Sequence, residues 1–215
     1  MNMKKAVIFD MDGVLVDSEP VIIKASMLSL AENGIYVQYN DFKQFTGMGD
    51  DIFIGGVAKK YGFEYDVKYK HRAYEIYLDI VKDNINLYPN AAKLVEKLHN
   101  NDMIIAIASA SDLIKVTANL KCLGTPVSWY KSIITGSDVT RKKPFPDIYL
   151  KAAESIKTEP KDCLVVEDAL SGVQAAKSAG MTCIAVTTSF SQEQLSEAGA
   201  DFVVQDIYDV LDYIK

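Results

Sequence analysis

The sequence predicts an α/β protein: a three-layer, Rossmann-like parallel sheet core with an inserted all-helical cap domain. Past residue 87, short β-branched runs alternate with amphipathic segments of about ten residues, as in βαβ units whose sheet is covered on both faces. Between residues 18 and about 83 this alternation stops, and the apolar periodicity is helical throughout. The insert follows the first strand directly, so we expect it to cover the strand's carboxyl end, where open α/β sheets bind ligands.

The individual elements follow from these patterns. The predicted strands are residues 5–9, 103–108, 131–135, 163–166, 182–186 and 201–204. The predicted core helices are residues 90–100, 112–122, 147–156, 170–179, 193–198 and 207–214. In the insert we predict helices at residues 21–33, 39–45, 50–61 and 67–82, punctuated by glycines at 34, 47, 49 and 62. The predicted domains are a core of residues 1–16 and 84–215 and a cap of residues 17–83.

Composition limits the classes of function. The formal net charge of −6 argues against nucleic acid or an anionic membrane as the main partner. No run approaches the roughly 18 apolar residues of a membrane span, and an acid follows the first four apolar residues, which argues against a secretory signal. Three widely spaced cysteines, at 122, 163 and 183, are typical of reduced thiols in a cytoplasmic protein. The oligomeric state is left open, and a monomer is plausible.

Asp10 and Asp12 directly follow the first apolar run. Alternate side chains of a strand point the same way, so the spacing aims both carboxylates in one direction. Two acids at the mouth of a buried strand are costly without a cation or a shared proton. The pair therefore suits a metal-assisted nucleophile beside a proton donor, although an Asp-rich turn after a strand would give the same four residues.

Two further features fall after predicted strands. Ser109 precedes a helix, whose free amides beside a small hydroxyl form a phosphate cradle; alternatively, Ser111 or Asp112 only caps that helix. Lys143 precedes a proline, which favours an extended, fixed conformation. Its ammonium could neutralise a phosphoryl oxygen and a nucleophilic carboxylate together, but residues 141–143 could equally be a solvated basic face.

Glu167 and Asp168 end another apolar run. Oxygen ligands from two separate strands suit Mg²⁺, which binds through few carboxylates, waters and substrate phosphate. A calcium-binding EF-hand loop is excluded, because valine stands at positions 14 and 21, where that loop needs acids.

Taken in order, these motifs resemble those of the haloacid dehalogenase superfamily of phosphohydrolases and phosphomutases. The chain looks most like the β-phosphoglucomutase-like subgroup with a helical cap, which includes sugar-phosphate phosphatases. The matching segments are FDMDGVLVDSEP (9–20), IASAS (107–111), KPFPDIY (143–149) and EDALSGVQAAKSAGM (167–181).

The resemblance implies a role for each motif residue. Asp10 would be the nucleophile that forms an aspartyl-phosphate, and Asp12 would be the general acid and then the base. Asp12 would be protonated while Asp10 is ionised, a division that Mg²⁺ on Asp10 would favour. Mg²⁺ would bind the Asp10 carboxylate, the Asp12 main-chain carbonyl and Asp168, with Glu167 as a ligand or next to one. The transferring phosphoryl group would be held by Ser109, Ala110 and Lys143.

Departures from the family pattern favour a phosphatase of a small sugar- or polyol-phosphate-like metabolite. Mutases typically carry a histidine ten residues past the general acid, where this chain has Ile22, and cations flanking a cap glycine, where residues 46–50 carry none. A hexose phosphate mutase is the alternative.

Two further alternatives are less well supported by the residues. A phosphonoacetaldehyde hydrolase needs a lysine in the cap, and the candidates Lys24 and Lys43 lie outside any motif. A non-catalytic binding module would usually have lost a motif residue, and all are present.

Overall fold

The structure is a computed structural model that describes residues 4–45 and 48–214. Its strands are β1 (Ala6–Phe9), β2 (Val16–Asp17), β3 (Asn86–Leu87), β4 (Ile104–Ala108), β5 (Ser132–Ile134), β6 (Cys163–Glu167), β7 (Thr182–Val186) and β8 (Phe202–Val204). Its helices are α1 (Glu19–Ala31), α2 (Asp50–Lys60), α3 (Val67–Asn84), α4 (Ala91–Asn100), α5 (Leu113–Leu123), α6 (Asp147–Ser155), α7 (Leu170–Ser178) and α8 (Gln192–Glu197).

Six of the strands form a parallel sheet in the order β5-β4-β1-β6-β7-β8. Phe9 at the end of β1 pairs with Ile107 of β4 on one side and Val166 of β6 on the other. After β1, the chain adds β4 and β5 on one side and then β6, β7 and β8 on the other, so the strand order reverses at β1. Such a reversal leaves a crevice at the carboxyl ends of the strands.

Two apolar clusters cover the faces of the sheet. Because strand side chains alternate, Val7 and Phe9 point into one cluster, with residues of α4 and α5, and Ala6 and Ile8 point into the other, with residues of α6 and α7. The predicted three-layer α/β class is therefore confirmed.

The insert contains α1, α2 and α3, and α1 packs along α3. Its buried side chains, from Val21 to Val81, form a third apolar cluster. Ala118 and Cys122 of α5 pack against that cluster from the core. The division into a core of residues 1–16 and 84–215 and a cap of residues 17–83 stays a prediction.

Two local predictions were wrong. Residues 39–45 form two short 3-10 turns, Tyr39–Asp41 and Lys43–Phe45, because the Asp41 carboxylate folds back onto the Gln38 amide and closes the first turn. The terminal segment Ile207–Tyr213 is also a 3-10 helix.

The segment that enters the insert pairs with the segment that leaves it. These two segments are β2 and β3, and they form an antiparallel ribbon that the sequence analysis did not predict. A ribbon of two residues per strand is too short to show a pattern in sequence.

Within the described residues, none of the helices combines the length and apolar content that crossing a membrane requires. Cys163 and Cys183 are buried, Cys122 is half-buried, and all three are free thiols.

We expect the central strand to dominate stability. Ile8 is fully buried, so Ile8→Ala should lower the free energy of unfolding by about 2–5 kcal/mol through lost burial and a residual cavity. Leu28→Ala, on the exposed side of α1, should change it by no more than about 0.5 kcal/mol. Urea unfolding followed by the fluorescence of Trp129, the chain's one tryptophan, measures both. Equal losses for the two variants would contradict this account of the core.

Candidate active site

Three carboxylates meet at the carboxyl end of β1. Asp10 follows β1, Glu167 ends β6 and Asp168 comes next in the chain. All three are buried, and each offers a carboxylate oxygen within 4.8 Å of the others. The parallel pairing of β1 and β6 produces this meeting, since Phe9 and Val166 are in register one residue before the acids.

Lys143 supplies the positive charge in this cluster. Its Nζ lies 2.6 Å from Asp10 Oδ1 and 2.5 Å from Glu167 Oε1, and the side chain is buried. The alternative of a solvated basic face therefore does not apply to Lys143. Arg141 does pair with Asp147 at the surface.

Glu167 is held on both of its oxygens. Oε1 also accepts a hydrogen bond of 2.7 Å from the hydroxyl of Tyr149, and Oε2 accepts the backbone N–H groups of Asp168 and Ala169. These donors fix the orientation of the Glu167 carboxylate, which in turn accepts a hydrogen bond from the Lys143 ammonium.

The cluster has an excess of negative charge. Three buried carboxylates face one ammonium, and burial of this kind is costly unless it is compensated. Burial raises the pKa of Asp10 and, together with the charge of Glu167, raises the pKa of Asp168 well above its usual value. These oxygens therefore suit a hard divalent cation, which would offset the excess charge.

The close packing around the acids needs two glycines. A Cβ added at Gly13 would overlap the Asp168 carboxylate, and one added at Gly172 would overlap the Glu167 carboxylate. Gly13 also has a φ of +86°, a conformation that side-chain-bearing residues rarely adopt.

Sequence reasoning missed the two hydroxyls that hold this turn from the other side. The Ser189 hydroxyl donates to Asp168 Oδ2, and Thr188 Oγ1 donates to the Gly13 carbonyl at 2.5 Å. Both follow β7 in a loop with no recognisable motif.

Asp12 lies in a different environment from Asp10. Its carboxylate accepts hydrogen bonds from the hydroxyls of Ser18 and Ser111, and the Lys115 Nζ lies 3.3 Å from Oδ1. Burial acts to raise the pKa of Asp12, but the Lys115 ammonium and the hydroxyl donors outweigh it, so the pKa is lowered.

The predicted protonation order, with Asp12 protonated and Asp10 ionised, supposes Mg²⁺ on the Asp10 carboxylate and stays a prediction. With the protein's own charges alone, burial raises the pKa of Asp10, whereas Lys115 and the hydroxyl donors lower the pKa of Asp12. This difference arises because Lys143 is shared between Asp10 and Glu167, whereas Asp12 has Lys115 beside it. A divalent cation beside Asp10 would favour the ionised form of that carboxyl.

The phosphate cradle predicted after β4 lies next to Asp12. Ser109 is fully buried. Its Oγ accepts a hydrogen bond of 3.1 Å from the Ser111 N–H, and the same Oγ lies 3.5 Å from Asp12 Oδ2. Ala110 and Ser111 line the cavity beside the carboxylates. Gly136 lies against the Ala110 carbonyl, where a Cβ would overlap it.

A cavity of about 370 Å³ lies between these residues and the insert. Its lining from the insert includes Ile22, Lys43, Asp50 and Phe53. The position at which mutases carry a histidine thus faces the cavity with an apolar side chain. Both candidate cap lysines, Lys24 and Lys43, are exposed, and Lys43 lines the cavity.

Within the segment 46–50, which lacks cations, Thr46 and Gly47 lie outside the described residues. Gly49 and Asp50 line the cavity, and the Asp50 carboxylate accepts a hydrogen bond of 2.5 Å from the Tyr74 hydroxyl. This part of the wall therefore presents a carboxylate to the cavity.

A sequence model of the haloacid dehalogenase-like hydrolases matches residues 7–186. The chain belongs to this family. The match spans the sheet from β1 to β7 and includes every residue of the carboxylate cluster.

Individual relatives agree with this membership. Protein SUPPRESSOR OF QUENCHING 1, chloroplastic, of Arabidopsis thaliana is 42% identical over 94% of the chain, which spans only 20% of that longer protein. Validoxylamine A 7'-phosphate phosphatase of Streptomyces hygroscopicus subsp. limoneus is 28% identical over 97% of the chain and 96% of its own length. The crystal structure of β-phosphoglucomutase from Clostridium difficile superposes with a TM-score of 0.83, 24% identity and 99% and 96% coverage, which shows the shared fold alone.

For this haloacid dehalogenase-like hydrolase, we expect Gly13→Ala to abolish divalent-cation binding, because the added methyl displaces Asp168. Gly34→Ala is the matched control: its φ is +76°, but a Cβ there meets nothing within 4 Å. Both variants should lose about 1–2 kcal/mol of stability from the left-handed backbone. The rise in unfolding temperature on adding Mg²⁺ should persist in Gly34→Ala and vanish in Gly13→Ala. An unchanged rise in Gly13→Ala would separate Asp168 from cation binding.

Proposed function

We propose that this protein is a Mg²⁺-dependent phosphatase that hydrolyses a small sugar- or polyol-phosphate-like metabolite through an aspartyl-phosphate. The observation that carries the proposal is the buried cluster of Asp10, Glu167 and Asp168 around Lys143, beside an open cavity. Phosphoryl transfer needs mainly positioning and charge stabilisation, which such a cluster supplies.

In this proposal Asp10 is the nucleophile. A carboxylate oxygen of Asp10 forms a bond to phosphorus as the bond from phosphorus to the leaving oxygen breaks, which gives the aspartyl-phosphate. Asp12, which this step requires in its protonated form, gives a proton to the departing oxygen and then takes one from the water that attacks phosphorus. The bond from phosphorus to the Asp10 oxygen breaks, inorganic phosphate leaves, and the Asp10 carboxylate is restored.

The metal site would comprise the carboxylates of Asp10 and Asp168 and the main-chain carbonyl of Asp12, with Glu167 in the same cluster. When bound, Mg²⁺ would neutralise charge on the carboxylates and on the phosphoryl oxygens. The fit rests on the unbalanced negative charge of these buried oxygens.

Lys143 and the loop after β4 would hold the phosphoryl group. An ammonium has three N–H donors, and Asp10 and Glu167 occupy two of those on Lys143. The third can bind a phosphoryl oxygen. Ser109 and Ala110 would bind the remaining oxygens from the N-terminal side of α5.

Simple hydrolysis is favoured over the mutase reaction by the charge of the cavity wall. A bisphosphate intermediate needs cations to bind its second phosphate, but the insert presents Asp50 and Ile22 as well as Lys43. Lys115, a further lysine of the lining, is paired with Asp12. A neutral polyol is the leaving group that such a wall accommodates best.

We also propose that the protein is located in the cytoplasm, because its three cysteines are free thiols. Its net charge of −6 argues against a nucleic-acid or membrane partner.

We expect the purified protein to release inorganic phosphate from members of a sugar and polyol phosphate panel, and EDTA to abolish the release until Mg²⁺ is restored. Asp10→Asn should lower kcat/KM by about a thousandfold or more, because the nucleophile is lost. Asp209→Asn is the matched control and should retain activity, because Asp209 is exposed and does not line the cavity. Equal turnover by Asp10→Asn would remove the assigned nucleophile.

The mutase alternative has its own outcome. With a hexose 1-phosphate and catalytic hexose 1,6-bisphosphate, we expect phosphate release to exceed formation of the isomeric hexose 6-phosphate. Among the described residues, Lys43 is the one cation that the insert contributes to the cavity lining, and the Asp50 carboxylate lines the same cavity. Both products can be followed by ³¹P NMR. Isomerisation without phosphate release would make the protein a mutase.

A further inference from the structure

Helix α5 presents a polar stripe to the active site. Ser111, just before the helix, and Lys115 and Asn119 within it are spaced by four residues, which places them on one side of the helix. All three are buried. The apolar residues around them pack into the core, so this stripe is a departure from an otherwise ordinary amphipathic helix.

Lys115 is the centre of the stripe. It is only 4% exposed, and its Nζ lies 3.0 Å from Ser111 Oγ and 3.3 Å from Asp12 Oδ1. Ser111 Oγ in turn donates to Asp12 Oδ2 at 2.7 Å. An ammonium buried to this extent is costly unless it is paired, and its carboxylate partner is Asp12.

The stripe continues to the insert. Asn119 Nδ2 lies 3.3 Å from Asp12 Oδ1, and Asn119 Oδ1 accepts a hydrogen bond from the hydroxyl of Tyr77 on α3. Tyr77 is fully buried. The orientation of the Asn119 amide, and through it of Asp12, is therefore tied to a helix of the insert.

We propose that Lys115 is a positioning residue for Asp12: it holds that carboxylate at the cavity wall, where it meets the leaving oxygen. The inference rests on the proposed phosphatase function. A carboxylate on a short side chain can rotate, and proton transfer requires hydrogen-bond reach to the reacting oxygen. Lys115 restrains Asp12 both directly and through Ser111, and Asn119 restrains it from the next turn.

This role predicts a dependence on the leaving group. An alkyl leaving oxygen needs a proton as it departs, whereas 4-nitrophenolate departs readily as an anion. The ratio kcat/KM covers the steps up to departure of the leaving group, so later hydrolysis of the aspartyl-phosphate does not enter it. A misplaced Asp12 must therefore cost more with an alkyl phosphate than with 4-nitrophenyl phosphate.

The test compares kcat/KM for 4-nitrophenyl phosphate with that for the alkyl phosphate of the panel that the wild type hydrolyses fastest. In Lys115→Met the alkyl value should fall about a hundredfold and the aryl value less than about tenfold, within the range known for general acid catalysis. Lys121→Met, on the exposed side of the same helix, should leave the ratio of the two unchanged.

A second variant keeps the test decisive if Lys115→Met does not fold. Tyr77→Phe retains the packing but removes the hydroxyl that orients Asn119, and should lower the alkyl-to-aryl ratio about threefold while thermal unfolding stays cooperative. Equal losses on both substrates, or no change in the ratio, would overturn the role of Lys115. A wild-type protein that hydrolyses neither substrate would instead overturn the phosphatase proposal.

Discussion

The arrangement of charge at the carboxyl end of β1 governs the rest of this structure. Lys143 is shared between Asp10 and Glu167, with Asp168 close by, while Asp12 is paired separately with Lys115. Two neighbouring aspartates two residues apart thus have opposite electrostatic surroundings. Asp10 belongs to a cluster in which three carboxylates share one ammonium, whereas the negative charge of Asp12 is balanced by Lys115. The two roles proposed for these aspartates, nucleophile for Asp10 and proton transfer for Asp12, therefore fall on carboxyl groups with different charged neighbours.

The sheet topology makes the asymmetry possible. β1 lies between β4 and β6, so the loops after three strands converge on one point. β6 contributes the acids, and the chain beyond β4 contributes Ser109 and the polar side of α5. Tyr149 of α6 and the hydroxyls after β7 then fix the carboxylates from outside. The insert closes the remaining side and forms the cavity wall against which a leaving group would lie.

The sequence was most informative where local pattern and chemistry coincide. The run at residues 6–9 and the acids after it predict both a buried strand and a site, because carboxylates seldom follow such a run for packing reasons. Lys143 was identifiable from its proline neighbour and the order of motifs. Lys115 was missed because a lysine within a helix ordinarily faces water, and only the tertiary contact with Asp12 reverses that expectation. Ser189 was missed because its loop has no periodicity. The ribbon of β2 and β3 joins residues about 70 apart in the chain, a pairing that no local pattern encodes.

That ribbon also bears on how the family could diversify. Val16 pairs with Leu87 and Asp17 with Asn86, so the chain enters and leaves the helical insert at the same point in space. Segments whose ends are neighbours can be replaced with little disturbance to the scaffold that carries them. A different set of helices can therefore be joined to this ribbon, by evolution or by design, so that the cavity wall changes while the cluster of Asp10, Glu167 and Asp168 stays the same.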